Sequence, residues 1–323
     1  MNRKLVVQYE FPHNEWFLTR YFHSVAKTLV DKNSEIEFTF INSGDLSERN
    51  SYTRNSAHMM TITNPDNGKY ILQSFWDKNI CLFNKHHWDP PNMVQLFCSS
   101  GLNRAEYDYF FAHTPCKDTV PIDYDNILTP FTYFPYTTRA ARIIEDLYPQ
   151  RNSEHLDNKM VFRGALYNER LFLRNTIHNG EDIVVDNMQD SYKDAPEFLK
   201  EHIGNLCALS INGAAEICNR DIELFGLGMP VLRSELNIAF HNPLIPDVHY
   251  IAAGKCDFRC STTHTDYNIL KNAILEKFEF VKNHRDFCLQ VGENARKWYL
   301  ENCTISNMVS MFEKLVKLDK LFE

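Results

Sequence analysis

The chain has 323 residues, 44% of them hydrophobic and 13% aromatic, and a net charge of −8 at pH 7. This length suits two domains of roughly 150 residues, and the apolar content excludes a disordered chain. The sequence has no dense Lys/Arg tract, so nucleic acid is not an expected partner. Its first residues, MNRKLVVQYEF, lack the apolar core of a signal peptide, and no stretch approaches the ~20 apolar residues of a membrane span. We therefore expect a cytoplasmic protein.

The first half of the chain alternates strand and helix patterns. Apolar runs bounded by Pro, Asn and Gly predict strands at residues 4–11, 35–42, 59–63, 70–75, 80–83, 94–98, 107–112 and 131–136. An amphipathic pattern predicts a helix at residues 15–31, and another predicts a helix at residues 138–147. Strands that alternate with helices indicate a parallel α/β sheet.

A polar stretch at residues 150–159 is the candidate domain boundary, and a second α/β series follows it. Its predicted strands span residues 159–162, 182–185, 231–232 and 250–253, and its helices span 169–178, 195–203, 266–283, 285–300 and 306–322. A further strand and a further helix are predicted between residues 207 and 230. We therefore predict an N-terminal domain at residues 1–150, a second domain at 151–303, and a C-terminal helix at 304–323 that packs on the domain interface.

Nine cysteines are scattered along the chain, which suits a reducing compartment. Cys256, Cys260 and His264 form a C-x3-C-x3-H run that zinc would fit loosely. No fourth ligand is evident nearby, and these spacings are not those of standard structural zinc sites. Half-buried thiols are the better interpretation, so we expect neither a metal nor another cofactor.

The segment from Cys207 to Leu232, CALSINGAAEICNRDIELFGLGMPVL, carries the strongest functional pattern. It predicts a strand, a loop of small residues at Asn212 and Gly213, a helix, and a glycine stop at Gly228 before the next strand. Ligands of α/β sheets gather at the carboxyl ends of strands, and anions gather at helix N-termini. Arg220 would supply a cation for phosphate there. Glu223 would bind ribose hydroxyls, or would merely stabilise the start of the helix.

A second segment, MVFRGALYNER, ends a predicted strand at Arg163 and Gly164 and opens a helix at Arg170. Arginine matches phosphate oxygens in a bidentate manner, so Arg163, Arg170 and Arg220 together would neutralise a diphosphate. The alternative is that these arginines pair with surface carboxylates.

Residues RDIELFGLGMPVLRSEL resemble the nucleotide-sugar segment of GT-B glycosyltransferases. VFRGALYNERLFLR followed by NGAAEICNRDIELFGLGMPVL is similar in order and spacing to the capsule-associated/KDEL-motif O-glucosyl- and xylosyltransferase family. The resemblance spans roughly residues 159–318. It implies a GT-B fold, with two facing Rossmann-like domains, parallel sheets and a cleft between them. It also implies a metal-independent, inverting transfer from UDP-glucose or UDP-xylose to a glycan or glycoprotein acceptor.

Inverting transfer needs a base near the acceptor, commonly a carboxylate or histidine. Asp77 is the first candidate because it follows a predicted strand and adjoins Trp76. His87 and Asp89, in the stretch HHWDPP, are second candidates, and all of these are alternatively turn residues. His113 and His241 are further candidates near the acceptor and the donor.

The leading hypothesis is therefore a nucleotide-sugar glycosyltransferase of glycan biosynthesis. The alternative is a non-catalytic sugar- or nucleotide-binding module, which would keep the arginines without a working base. A kinase or dinucleotide oxidoreductase is disfavoured, because the sequence lacks G-x-x-x-x-G-K-[ST] and a G-x-G-x-x-G that opens a strand–helix unit.

Overall fold

The computed structural model describes residues 3–9, 17–42, 59–67, 70–74, 107–111, 138–166, 169–187, 195–212, 217, 219–236, 242–254, 267–315 and 318–323. The chain divides into two compact units, which are described separately below. The first comprises Met1–Tyr133, Ile238–His241 and Ile305–Glu323, and the second comprises Phe134–Asn237 and Asn242–Thr304.

The first unit contains a five-stranded sheet in the order β2-β1-β3-β4-β5. Its strands are β1 (Arg3–Tyr9), β2 (Ile36–Asn42), β3 (Met59–Thr63), β4 (Tyr70–Ser74) and β5 (Tyr107–Phe111), and helix α1 (Phe17–Lys32) links β1 to β2. The prediction of an all-parallel sheet is wrong here, since β3 runs antiparallel to both β1 and β4. Residues 64–69 connect β3 to β4, and a parallel pair would need a crossover of a dozen or more residues.

The second unit contains α2 (Thr138–Leu147), β6 (Asp157–Gly164), α3 (Glu169–Ile177), β7 (Ile183–Asn187), α4 (Ala195–Ile203), β8 (Asn205–Ser210), α5 (Asn219–Gly226), β9 (Val231–Arg233), β10 (Ile251–Ala252), α6 (Tyr267–Asn283) and α7 (Arg285–Asn302). Its five strands are all parallel, in the order β10-β9-β8-β6-β7. The predicted α/β class is therefore confirmed, with the parallel sheet in this unit.

One face of the second sheet forms a continuous apolar core with helices α3, α6 and α7. Phe162 from β6 and Leu209 from β8 are fully buried there, together with Phe278 from α6 and Val291 from α7. Met160 and Phe162, two residues apart on β6, both belong to this core, as the pleat of a strand requires for residues of one face. This core holds the strands in place from one side of the sheet. Polar side chains can therefore follow the strands at their carboxyl ends.

Gly228 ends α5 as the sequence predicts. Its φ of 64° lies in the left-handed region, where glycine has no Cβ penalty. The N–H of Gly228 donates to the Phe225 carbonyl, and the N–H of Met229 donates to the Leu224 carbonyl. This turn directs the chain into β9 and thereby sets the position of α5 over the sheet.

The C-terminal segment contains helix α8 (Ile305–Leu315) and a 3-10 helix at Leu318–Phe322, where the sequence predicted one helix at residues 306–322. Helix α8 contacts α1, and the Leu321 carbonyl accepts a hydrogen bond from Asn64. Both contacts lie within the first unit. The predicted strands at residues 80–83, 94–98 and 131–136 lie outside the described residues. Within the described ranges, no helix is long and apolar enough to span a bilayer.

Candidate functional site

The strand order of the second unit identifies one edge of the sheet as a candidate site. From β6 the chain passes to β7 on one side, and β8 then lies on the other side of β6. In open α/β sheets, ligands bind at such a reversal, outside the carboxyl ends of the strands. Here those ends are Gly164 in β6 and Ser210 in β8. The residues that follow them therefore line the place where a ligand is expected.

Two of the predicted arginines meet at this edge over a single aromatic ring. The guanidinium carbon of Arg220 lies 4.4 Å from the centroid of the Phe162 ring, and that of Arg170 lies 5.3 Å from it. Both arginines are buried, at 9% and 5% exposure. An aromatic face attracts cations, and both of these guanidiniums lie within the range of that attraction from one ring. The pair concentrates positive charge at the carboxyl end of β6.

Main-chain carbonyls orient both guanidiniums. Arg170 donates to the carbonyls of Ala165, at 3.1 Å, and Ile211, at 2.8 Å. Arg220 donates to the Arg163 carbonyl at 2.5 Å. A guanidinium carries five N–H donors, so it can hold a carbonyl oxygen and contact an anion at the same time. These contacts fix the two cations without changing their charge.

Gly164 gives Arg220 room to cross the end of β6. A Cβ on residue 164 would collide with Nη1 of Arg220 and would lie 3.0 Å from Cζ of Phe162. A side chain at residue 164 would make the flexible end of Arg220 move. Glycine at this position therefore allows Arg220 to occupy its described position across the end of β6.

Arg163 lies in a different environment from the other two predicted arginines. Its Nη2 lies 3.3 Å from Oδ2 of Asp186, and its Nε lies 3.1 Å from Oε2 of Glu201. Two carboxylates thus face its guanidinium, as the ion-pair alternative from the sequence expected. The guanidiniums of Arg170 and Arg220 both contact the Phe162 ring, whereas the Arg163 guanidinium faces Asp186 and Glu201.

Glu223 follows Arg220 by one turn of α5. Desolvation raises the pKa of its carboxyl group to about 7, and the nearby positive charge of Arg220 opposes part of that rise. Near neutral pH this side chain is therefore divided between its acid and its carboxylate. The carboxylate can accept hydrogen bonds from hydroxyl groups, and the acid cannot do so equally well.

Sequence reasoning missed a buried ion pair beside the site. Nη1 of Arg233 lies 2.9 Å from Oδ1 of Asp221, and both side chains are completely buried. Nη2 of Arg233 donates to Oδ1 of Asn212 at 3.1 Å. The sequence does show a charged residue, Arg233, at the end of the apolar run PVLR, which indicates a buried charge. It does not indicate which residue pairs with Arg233, because Asp221 lies on a different element.

His202, on α4, was also missed. Its Nδ1 donates to the Phe198 carbonyl at 2.8 Å, since a carbonyl can only accept. Its Nε2 has no hydrogen-bond partner in the part of the chain that the structure describes. Burial, with a smaller contribution from the positive charges of Arg220 and Arg163, lowers the pKa of His202 to about 4. The ring is therefore neutral at physiological pH.

Several predicted residues lie outside the described residues and stay predictions. They are the base candidates Asp77, His87, Asp89, His113 and His241, the loop residue Gly213, and the zinc alternative Cys256, Cys260 and His264. Among the described residues, no three His, Cys, Asp or Glu side chains are grouped so that they could hold a metal ion.

No family model matches this chain, and no curated protein sequence matches it. Solved structures similar to it include the pneumococcal O-GlcNAc transferase GtfA in complex with UDP and GlcNAc. That chain is 9% identical to this one, with a TM-score of 0.46, and the match covers 92% of this chain and 55% of that one. The GtfA/B complex gives 8% identity and a TM-score of 0.45, over 91% of this chain and 55% of that one. TarM is 9% identical to this chain, with a TM-score of 0.40, and the match covers 98% of this chain and 99% of TarM. This chain thus spans about half the length of the GtfA chain.

Proposed function

We propose that this chain is a nucleotide-sugar glycosyltransferase of the GT-B class, with its donor site at the carboxyl edge of the second sheet. The observation that supports this most is the pair of buried guanidiniums, Arg170 and Arg220, on the Phe162 ring at the strand-order reversal. Such a pair matches the two phosphates of a nucleotide diphosphate. Charge-assisted contacts of this type contribute about 1.5–3 kcal/mol each.

The electrostatics of α5 support an anionic ligand. Arg220 is the second residue of this helix, where the macrodipole already presents partial positive charge. A cation in the first turn is unfavourable for the helix itself. A diphosphate at this position would be stabilised by both the arginines and the N-terminal N–H groups.

Glu223 is proposed to bind the ribose hydroxyls of the donor. It lies one turn beyond Arg220, so phosphate and ribose would contact successive turns of the same helix. Its carboxylate would accept charge-assisted hydrogen bonds from hydroxyls. Asn212 and Gly213 would provide polar and main-chain contacts in the loop after β8.

The proposed reaction is attack of an acceptor hydroxyl on the anomeric carbon of the sugar. The bond from that carbon to the diphosphate oxygen breaks as the new glycosidic bond forms, and the hydroxyl proton passes to a base. Asp77 is the first candidate for the base, followed by His87 and Asp89. Arg170 and Arg220 would stabilise the charge that develops on the departing diphosphate, a role that needs no metal ion.

UDP-glucose and UDP-xylose are the first donors to test, and a glycan or protein hydroxyl is the expected acceptor. A non-catalytic nucleotide-binding module is the second candidate, since the described arginines would serve it equally well. Turnover of the donor separates these two functions.

The test is a calorimetric titration with UDP, GDP and CMP, each with and without EDTA. We expect saturable binding of one nucleotide that survives EDTA and is at least tenfold weaker in Arg220→Met, which keeps the packing on Phe162 and removes the charge. The matched control is Arg285→Met. Arg285 contacts Ser153 and Asn158 near the amino end of β6, away from the site.

Absence of nucleotide binding to the wild-type protein would overturn the proposal. Binding that Arg220→Met and Arg285→Met weaken equally would also contradict it, because the carboxyl edge would then have no special role.

A further inference from the structure

A buried polar network attaches the first turn of α5 to the ends of two strands. Arg233, the last residue of β9, pairs with Asp221 at 2.9 Å, and both side chains have 0% exposure. The same guanidinium donates to Asn212, just beyond β8, at 3.1 Å. Arg233 also donates through Nε to the Ser234 carbonyl at 3.3 Å. One side chain therefore links β9, the loop after β8 and the start of α5.

Stability alone does not explain this network. Removing two charges from water is costly, and well-packed apolar side chains of similar volume are often as stable as a buried ion pair. The nearby positions along the chain are apolar, since Ile222, Leu224 and Val231 are all completely buried. An apolar pair at positions 221 and 233 would continue that packing. What an apolar pair would lack is directional control of Asn212 and of the helix.

We infer that Arg233 and Asp221 are positioning residues of the nucleotide site, an inference that rests on the function proposed above. Asp221 adjoins Arg220 in the chain, so the pair sets where the first turn of α5, and with it the Arg220 guanidinium, meets the end of β6. The planar fork of Arg233 also fixes the orientation of the Asn212 amide. Neither residue contacts the nucleotide in this account.

The opposite end of α5 provides a matched control. Arg296 is also buried, lies 2.9 Å from Glu145, and donates to the Gly226 carbonyl at the last residue of α5. Its guanidinium lies 3.8 Å from the centroid of the Tyr148 ring. Arg296 thus holds the same helix through the same kind of contact, at the end far from the proposed site.

The experiment compares UDP affinity with thermal unfolding in the full chain. The double variant Asp221→Leu/Arg233→Met removes both charges and leaves no buried charge alone. We expect it to unfold cooperatively and to bind UDP about tenfold more weakly than wild type, since the Arg220 contact is misplaced. Arg233→Lys keeps the charge and loses the fork, so we expect about threefold weaker binding. Arg296→Met should unfold at a lower temperature and bind UDP with wild-type affinity.

Wild-type UDP affinity in the folded double variant would overturn this inference and leave the proposed function intact. If the double variant does not fold, Arg233→Lys decides: unchanged affinity overturns the inference, and weaker binding at an unchanged unfolding temperature supports it. A wild-type protein that binds none of the nucleotides overturns the proposed function, and this inference with it.

Discussion

The two ends of helix α5 are held by buried arginines in opposite electrostatic settings. At the C-terminal end, Arg296 donates to the Gly226 carbonyl and pairs with Glu145, so a cation lies where the helix presents partial negative charge. At the N-terminal end, Arg220 lies in the first turn, and the Arg170 guanidinium shares the Phe162 ring with it. There the cations lie where the helix presents partial positive charge.

The difference separates an arrangement that is complete in the protein from one that favours a ligand. At the C-terminal end, helix, cation and carboxylate complement one another, which is sufficient for stability. At the N-terminal end, positive charge accumulates against the dipole, and Asp221 is already paired with Arg233. An anion that joins this end would reduce the repulsion, so function explains the N-terminal end better than stability does.

The largest expected effect comes from removing both N-terminal cations. Arg170→Met/Arg220→Met should weaken nucleotide binding at least a hundredfold, because two charge-assisted contacts of about 1.5–3 kcal/mol each are lost. Isothermal titration calorimetry measures this. Arg296→Met serves again as the control with unchanged affinity. If Arg296→Met lost as much nucleotide affinity as Arg170→Met/Arg220→Met, the two ends of α5 would not differ in function.

His202, which is buried near Arg220 and Arg163, should make the stability of the protein depend on pH, mainly because burial disfavours its charged form. Burial lowers its pKa to about 4 in the folded protein, from about 6.5 when unfolded, so the unfolded state binds more protons between these values. The free energy of unfolding therefore rises with pH in this window, by about 3 kcal/mol in total. Urea unfolding at pH 4, 5, 6 and 7 should show this contribution in wild type and not in His202→Leu.

The exposed His155 provides the control for that series. His155→Gln should keep the wild-type dependence on pH. If His202→Leu also kept it, the histidine would not be the group responsible.

Gly164→Ala should produce an intermediate effect on binding. The new methyl group collides with Nη1 at the flexible end of Arg220, so we expect this guanidinium to shift and nucleotide binding to weaken about tenfold. Gly204→Ala is the matched substitution, since an added Cβ there meets no atom within 4 Å. Wild-type affinity in Gly164→Ala would show that Arg220 need not occupy its described position.

The smallest expected effect is the pH dependence that Glu223 imposes. Its pKa of about 7 means that the hydroxyl-accepting carboxylate forms as the pH rises through neutrality. Affinity for UDP-glucose, whose diphosphate diester does not titrate in this range, should increase about threefold from pH 6 to pH 8. Glu223→Gln should remove the increase. A wild-type affinity that does not change with pH would exclude Glu223 from the donor contacts.

The second unit could be predicted well because its signals are local. Apolar runs between polar breaks located β6 and β8, and helix α4 begins and ends at the predicted residues. Gly228 adopts the positive φ that the predicted helix stop requires. The antiparallel direction of β3 was not predicted, because alternating apolar residues specify a strand and not the direction of its neighbours.

Side-chain partners were beyond the sequence pattern. The sequence alone does not distinguish the environments of the three predicted arginines. In the structure, Arg163 faces Asp186 and Glu201. Arg170 and Arg220 contact the same aromatic ring instead. The sheet register creates these differences by bringing together distant segments. The same holds for Arg233 and Asp221, whose pairing depends on how α5 lies over the strands.

The most direct test of the account is a crystal structure of the protein with UDP. We expect the diphosphate to lie within hydrogen-bonding distance of the Arg170 and Arg220 guanidiniums, at the carboxyl edge of β6, with the ribose toward Glu223. A diphosphate bound elsewhere, with both guanidiniums retaining only their protein contacts, would contradict it.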